Sequence, residues 1–197
     1  MKRVFLLLLL TGCSSPPPVP PLPPGVVGGT VSNREGPLPW VFVYVKSGLE
    51  GRRFDVPKEP FLLDQHGNEF IPHVFGLRAG QPLKIHSSDS GIHNVFCEPF
   101  NNPAFNESLL EDQSMTKVFG KPEVMVMFKC NIHGHMVAFA GVLDHPYFAV
   151  TGSDGKFEIR GLPPGDYTIE AWSEYSGARQ LRVRLGMDAT VPLRFAF

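Results

Sequence analysis

The run Val124-Met125-Val126-Met127-Phe128-Lys129-Cys130-Asn131-Ile132-His133-Gly134-His135-Met136 opens as a strand and closes as a loop of metal-ligand side chains. Its first residues are β-branched, thioether and aromatic, the composition of a buried strand. Its last seven place a thiol, an imidazole and a thioether on one short connection. These are the donor types that a mononuclear copper site draws from a single loop. The remaining donor has to come from another part of the chain. Gly91-Ile92-His93-Asn94-Val95 offers a histidine after a polar turn and before an apolar run.

Cys-x-x-His-x-x-Met, with His93-Asn94-Val95 upstream, resembles the cupredoxins. The loop spacing is that of amicyanin, and plastocyanin and pseudoazurin share Cys-x-x-His with a longer gap to Met. The resemblance covers residues 60–148 and implies a Greek-key β-sandwich holding one type 1 copper. His93, Cys130 and His133 are its implied equatorial ligands, and Met136 is the weak axial one. It further implies that the Asn94 backbone N–H donates to the Cys130 sulfur and that the Asn94 side chain ties the two ligand segments together. Two positions depart from the family pattern. Ser87 stands where Asn is often found, and Gly134 follows the loop histidine where Pro is common. Both loosen the support around the ligand set and leave the set itself complete.

The other histidines are secondary candidates. His135 adjoins Met136, and His73 and His86 lie near the site strands in sequence, so each is a possible additional ligand. His66 and His145 read as turn residues. Cys97 follows His93 by four residues, which in a strand puts both side chains on one face. It reads as a buried thiol beside the site, the alternative being a disulfide with Cys130.

The N-terminus begins Met1-Lys2-Arg3, continues through an apolar run to Leu10, and reaches Leu10-Thr11-Gly12-Cys13. A positive start and a short apolar core form a secretory signal over residues 1–12. Leu-Thr-Gly-Cys resembles the bacterial lipobox, which implies lipidation of Cys13 and a membrane anchor. Ser14, in place of Asp, points by the same resemblance to the periplasmic side of the outer membrane in a Gram-negative cell. Residues 13–25 then read as a lipidated, proline-rich tether. Its run from Pro16 to Pro24, as an extended polyproline helix, spans roughly 30 Å.

Two further regions complete the plan. Residues 26–48 contain Val26-Val27-Gly28-Gly29-Thr30-Val31 and Val41-Phe42-Val43-Tyr44-Val45 around a Gly-Pro turn. Residues 149–197 contain Asp154-Gly155-Lys156-Phe157-Glu158-Ile159 and Leu162-Pro163-Pro164-Gly165-Asp166-Tyr167-Thr168-Ile169. This pair of motifs resembles the carboxypeptidase-regulatory-like, transthyretin-like β-sandwich, a carbohydrate-binding-like fold. Neither region makes a core alone. The expectation is an all-β chain in which the cupredoxin segment is inserted into a second, Ig- or transthyretin-like sandwich. Two sequential sandwiches, with residues 26–47 in the cupredoxin sheet, is the alternative. Residues 50–60 read as a linker and residues 98–117 as an irregular excursion or short helix.

Composition narrows the function. Hydrophobic content of 43% is that of a globular protein, and 20 Gly with 20 Pro favour turns and strands over helices. A net charge of −1 with no basic cluster gives no reason to expect nucleic acid. No Gly-x-Ser-x-Gly elbow is present, and a saturated copper leaves no position for substrate, so an enzyme is not expected. The leading expectation is a lipid-anchored envelope protein that carries single electrons between redox partners such as a cytochrome or an oxidase. Copper storage or delivery, and a carbohydrate- or protein-binding module without redox role, are the competing classes.

Overall fold

A computed structural model describes residues 23–197; the signal segment, Cys13 and most of the tether lie outside the described residues. The described residues form strands and no helix, as an all-β chain requires. In chain order the first strands are β1 (Gly25–Asn33), β2 (Gly36–Pro37) and β3 (Phe42–Ser47). Next come β4 (Phe61–His66), β5 (Glu69–Ile71), β6 (Val74–Arg78), β7 (Pro82–Ser87), β8 (His93–Cys97), β9 (Phe105–Leu109), β10 (Ser114–Val118), β11 (Glu123–Lys129) and β12 (Val137–Leu143). The last are β13 (Phe148–Val150), β14 (Lys156–Leu162), β15 (Gly165–Ser173), β16 (Gly177–Leu185) and β17 (Thr190–Ala196).

Strands β4 to β12 pair only among themselves, in one sheet ordered β10-β7-β4-β5 and another ordered β6-β12-β11-β8-β9. Period-two alternation points one face of each sheet inward. On β7 the inward residues are Leu83, Ile85 and Ser87, and on β11 they include Val126 and Phe128. Between the sheets lie Leu63, Phe75, Leu77, Val95 and Phe128, all 2% exposed or less.

The remaining strands form two more sheets, ordered β14-β1-β17 and β13-β3-β15-β16. β1 lies between β14 and β17, and β3 lies between β13 and β15. The front of the chain is thus hydrogen-bonded to its back, across the residues of the first sandwich. Val27, Val31, Val43, Val45, Phe157, Ile159 and Ile169 fill this second core.

A third cluster joins the two sandwiches. Phe42, Tyr44, Val74, Phe139 and Leu143 are buried there, with Phe148, Val150 and Trp172 packed around them. β12 explains how. Ala138, Ala140 and Val142 belong to the first core, whereas Phe139 and Leu143, on the opposite face, belong to the interface. β3 does the same, with Val43 and Val45 in the second core and Phe42 and Tyr44 at the interface. Strands buried on both faces read as continuous apolar runs, which is how both appear in the sequence. Gly141 makes the fit possible, since a Cβ there would overlap the Phe42 ring.

Residues 98–117 depart from expectation. They hold β9 and β10, which extend opposite sheets by pairing with β8 and β7. Each has a single partner, and β10 shows only exposed and half-buried side chains, so an apolar alternation never develops. Residues 50–60 are without regular structure, as read. They are fastened by Arg78, whose guanidinium donates to the carbonyls of Phe54, Asp55 and Asp144.

Two buried groups set an acid sensitivity. Burial lowers the pKa of His145, which sits in a bend as expected but donates from Nε2 to Val45 O at 2.9 Å. Burial would raise the Glu170 carboxyl, yet bonds from Lys46, Tyr44 and Gln180 more than offset that and hold it below the ordinary value. Both folded-state values are depressed, so both contributions are complete above the unfolded values and are lost as pH falls through the folded ones. Stability is expected to decline from about pH 6.5 and again below about pH 4.3. Urea midpoints across that range should show Glu170→Gln making the second decline shallower, with Asp89, also held low, accounting for part of what is left.

Candidate metal centre

The alternation that buries Val126 and Phe128 carries on past the end of β11 to Cys130, which is 2% exposed. The chain then turns. Cys130 N donates to Met136 O at 3.1 Å and Met136 N to His133 O at 2.9 Å, closing the loop on itself. On β8 the same alternation turns His93, Val95 and Cys97 inward, and His93 is 2% exposed. Two separate strands thereby aim a thiol and an imidazole at one point, and the loop adds a second imidazole.

The ligating atoms of His93, Cys130 and His133 all lie within 4.8 Å of one another. Nδ1 of His93 and Nδ1 of His133 are 3.1 Å apart. Backbone N–H groups of Asn94 and His133 each donate to Cys130 Sγ at 3.4 Å. Met136 belongs to the same loop and is 1% exposed.

This donor set fits a metal ion. His93 Nε2 lies 3.0 Å from Asp89 Oδ2, so the ring proton sits on Nε2 and Nδ1 presents a lone pair to the site. His133 faces it with its own Nδ1. Two ring nitrogens at that distance need a proton or a cation between them. Two nitrogens with a sulfur are the borderline-to-soft donors that transition metals take. Burial would raise the Asp89 carboxyl, but amides of Asn68 and Gly67 and the His93 ring outweigh it and keep the group below the ordinary carboxylate value.

Asn94 binds the two segments together. Its Oδ1 accepts from Asn131 N at 3.1 Å, and its Nδ2 donates to Asn106 Oδ1 at 2.5 Å on β9. Ser87 is buried close in register, yet its hydroxyl has no partner among the described residues. It is not the tie across the site. Gln65, its register partner on β4, instead reaches Asn94 O from Nε2 at 3.4 Å. Asp89 and Gln65 were not legible as site residues, because a polar turn residue and an inward glutamine carry no metal-specific signal.

The other candidates lie apart from the cluster. His135 is exposed, its ring centroid 6.4 Å from that of His133. His86 bonds to Gln113 O and Ser114 Oγ on the surface strand pair. His73 faces the second sandwich through Glu174. Cys97 is a free buried thiol, as is Cys130, so the disulfide alternative is not what the structure shows. Burial, then the charge of Glu123, pushes the Cys97 thiol up to about 12. Cys97 should therefore resist iodoacetamide at pH 8 in the folded protein and react only on unfolding, as mass spectrometry would read.

No protein-family model matches the chain, and no curated protein matches it. Among solved structures it is similar to an oxidised point mutant of amicyanin, at 14% identity over 42% of this chain and 81% of that one, TM-score 0.39. A purple cupredoxin from Nitrosopumilus maritimus matches at 17% identity over 45% of this chain and 99% of that one, TM-score 0.35. A copper-containing nitrite reductase from Thermus scotoductus matches at 18% identity over 59% of this chain but only 28% of that one, TM-score 0.41. Fold and site together define an all-β protein of stacked sheets, with a His–Cys–His cluster in which His93 and Cys130 are buried and His133 is half-buried.

Proposed function

We propose that the chain is a type 1 copper protein that passes single electrons between partners in the cell envelope. The observation that supports this most is the convergence of His93, Cys130 and His133 on one point, with Met136 buried on the same loop. Copper held by two histidines, a thiolate and a distant thioether changes oxidation state with little change of geometry. Asp89 holds the His93 tautomer, and the Asn94 and His133 amides hold the sulfur. Ile132, which adjoins His133, and Ile92, which adjoins His93, are each about half exposed and offer a partner apolar side chains next to the ligand segments. With its ligand set complete, the centre is read as a carrier and not as an enzyme.

On this reading Cys13 carries the lipid and the prolines of residues 16–24 hold the centre away from the membrane. On the same reading residues 60–148 are a cupredoxin domain inserted into a carboxypeptidase-regulatory-like sandwich. Copper storage or delivery is the second reading, favoured by the exposed His135 beside His133, a side chain placed to receive a departing ion. Metal analysis, visible absorption and EPR of the copper-loaded chain test the first. One copper per chain with an intense thiolate band and reversible one-electron cycling is the expected result. Ready loss of Cu(I) to a chelator on reduction would favour the second.

A further inference from the structure

The His73 ring has a hydrogen-bonding partner on each side. Nδ1 lies 3.0 Å from Val137 O, and Nε2 lies 2.9 Å from Oε2 of Glu174, in the turn between β15 and β16 of the second sandwich. A carbonyl only accepts, so Nδ1 carries a proton. The Glu174 carboxylate lies within hydrogen-bonding distance of Nε2 and ties the ring to the second sandwich. The His73 carbonyl accepts from Phe139 N at 2.8 Å. The ring is walled edge-on by Phe139 at 5.7 Å and Trp40 at 6.2 Å, and Trp172 packs on Phe139 at 5.1 Å. The His73 orientation is thus set from both sides, by Val137 and Phe139 of the first sandwich and by Glu174 and Trp40 of the second.

What His73 holds is the mouth of the ligand loop. Val137 directly follows Met136, and it pairs with Lys129, which directly precedes Cys130. A bond on Val137 thus acts where the β11–β12 pair opens into the loop. We propose that His73 is a positioning residue for this loop, and that Glu174, by holding His73, makes the second sandwich part of the metal centre's support. The proposal rests on the copper reading above and deepens it. It also gives the second sandwich a task at the site. Loss of groups bonded to metal ligands themselves commonly weakens affinity 10- to 100-fold, and His73, bonded one residue beyond Met136, is expected at the low end of that range.

The test uses the full chain with Glu174→Ala, Glu174→Gln, His73→Phe and the double variant Glu174→Ala/His73→Phe. Cu(I) affinity is read by competition with a chromophoric chelator. In the metal-free protein, hydrogen exchange is read at the Met136 and Cys130 amides, which are bonded within the loop. Glu174→Ala and His73→Phe should each weaken Cu(I) binding about tenfold and speed that exchange. The double variant should be no weaker than His73→Phe, since both changes break one link, and Glu174→Gln should recover most of the loss. Unchanged affinity and exchange in Glu174→Ala would overturn the proposal while leaving the copper reading intact. If no form of the chain binds copper, that reading falls, and unchanged exchange in the metal-free variants then overturns the positioning role as well.

Discussion

Cys130→Ser is expected to abolish the intense visible absorption of the copper-loaded protein and to weaken copper binding by on the order of 100-fold or more. Cys130 is the one cysteine in the cluster and its sulfur receives two backbone N–H bonds, so no other side chain replaces it. Serine is smaller and keeps an acceptor for those donors, and the fold should survive with a loss of about 1 kcal/mol. The comparison is made by absorption, EPR and metal content on native and variant protein side by side. A variant that kept the band would move the thiolate elsewhere, and Cys97, buried outside the cluster, is the other cysteine of the described residues. Persistence of the band would therefore refute the assignment of the centre.

Phe42→Ala is expected to carry a large stability cost, about 3–5 kcal/mol. Phe42 is fully buried, stacks on Phe148 at 5.5 Å and covers Gly141. Glycine cannot fill the space that a truncated ring leaves. The cavity opens between the sandwiches, so the variant should also lose cooperativity between them. Urea unfolding followed by circular dichroism and by tryptophan fluorescence should show transitions that coincide in the native protein and separate in the variant. A loss below about 1 kcal/mol would mean that the interface contributes little and that the two cores are stable apart.

The residues of the His–Cys–His cluster and Met136 on its loop could be picked out from the chain because they are close together or carry chemistry that few other residues have. Cys130, His133 and Met136 lie within one seven-residue run, and a strand followed by such a loop places them with little help from the rest of the molecule. His93 was legible for a related reason, an imidazole at a strand start after a polar turn. The supporting groups were less so. Asn94 was anticipated only through family likeness, and Ser87, anticipated the same way, makes no bond to the site. His73 was weighed as an additional ligand, yet it faces away from the cluster toward Glu174, more than a hundred positions along the chain.

Strand existence was likewise local information, carried by β-branched and aromatic runs between glycine and proline turns. β9 and β10 escaped because edge strands need only one partner and no apolar face. Which sheet each strand joined was not local. That β1 lies between β14 and β17, and that β12 is buried on both sides, follows from apolar faces remote in sequence finding one another. The order of donors along the chain, and the alternation that turns them inward, are properties of adjacent covalent units. The contact of Glu174 with His73 and the covering of Gly141 by Phe42 depend on long-range burial, whose energy is set only when both faces are present.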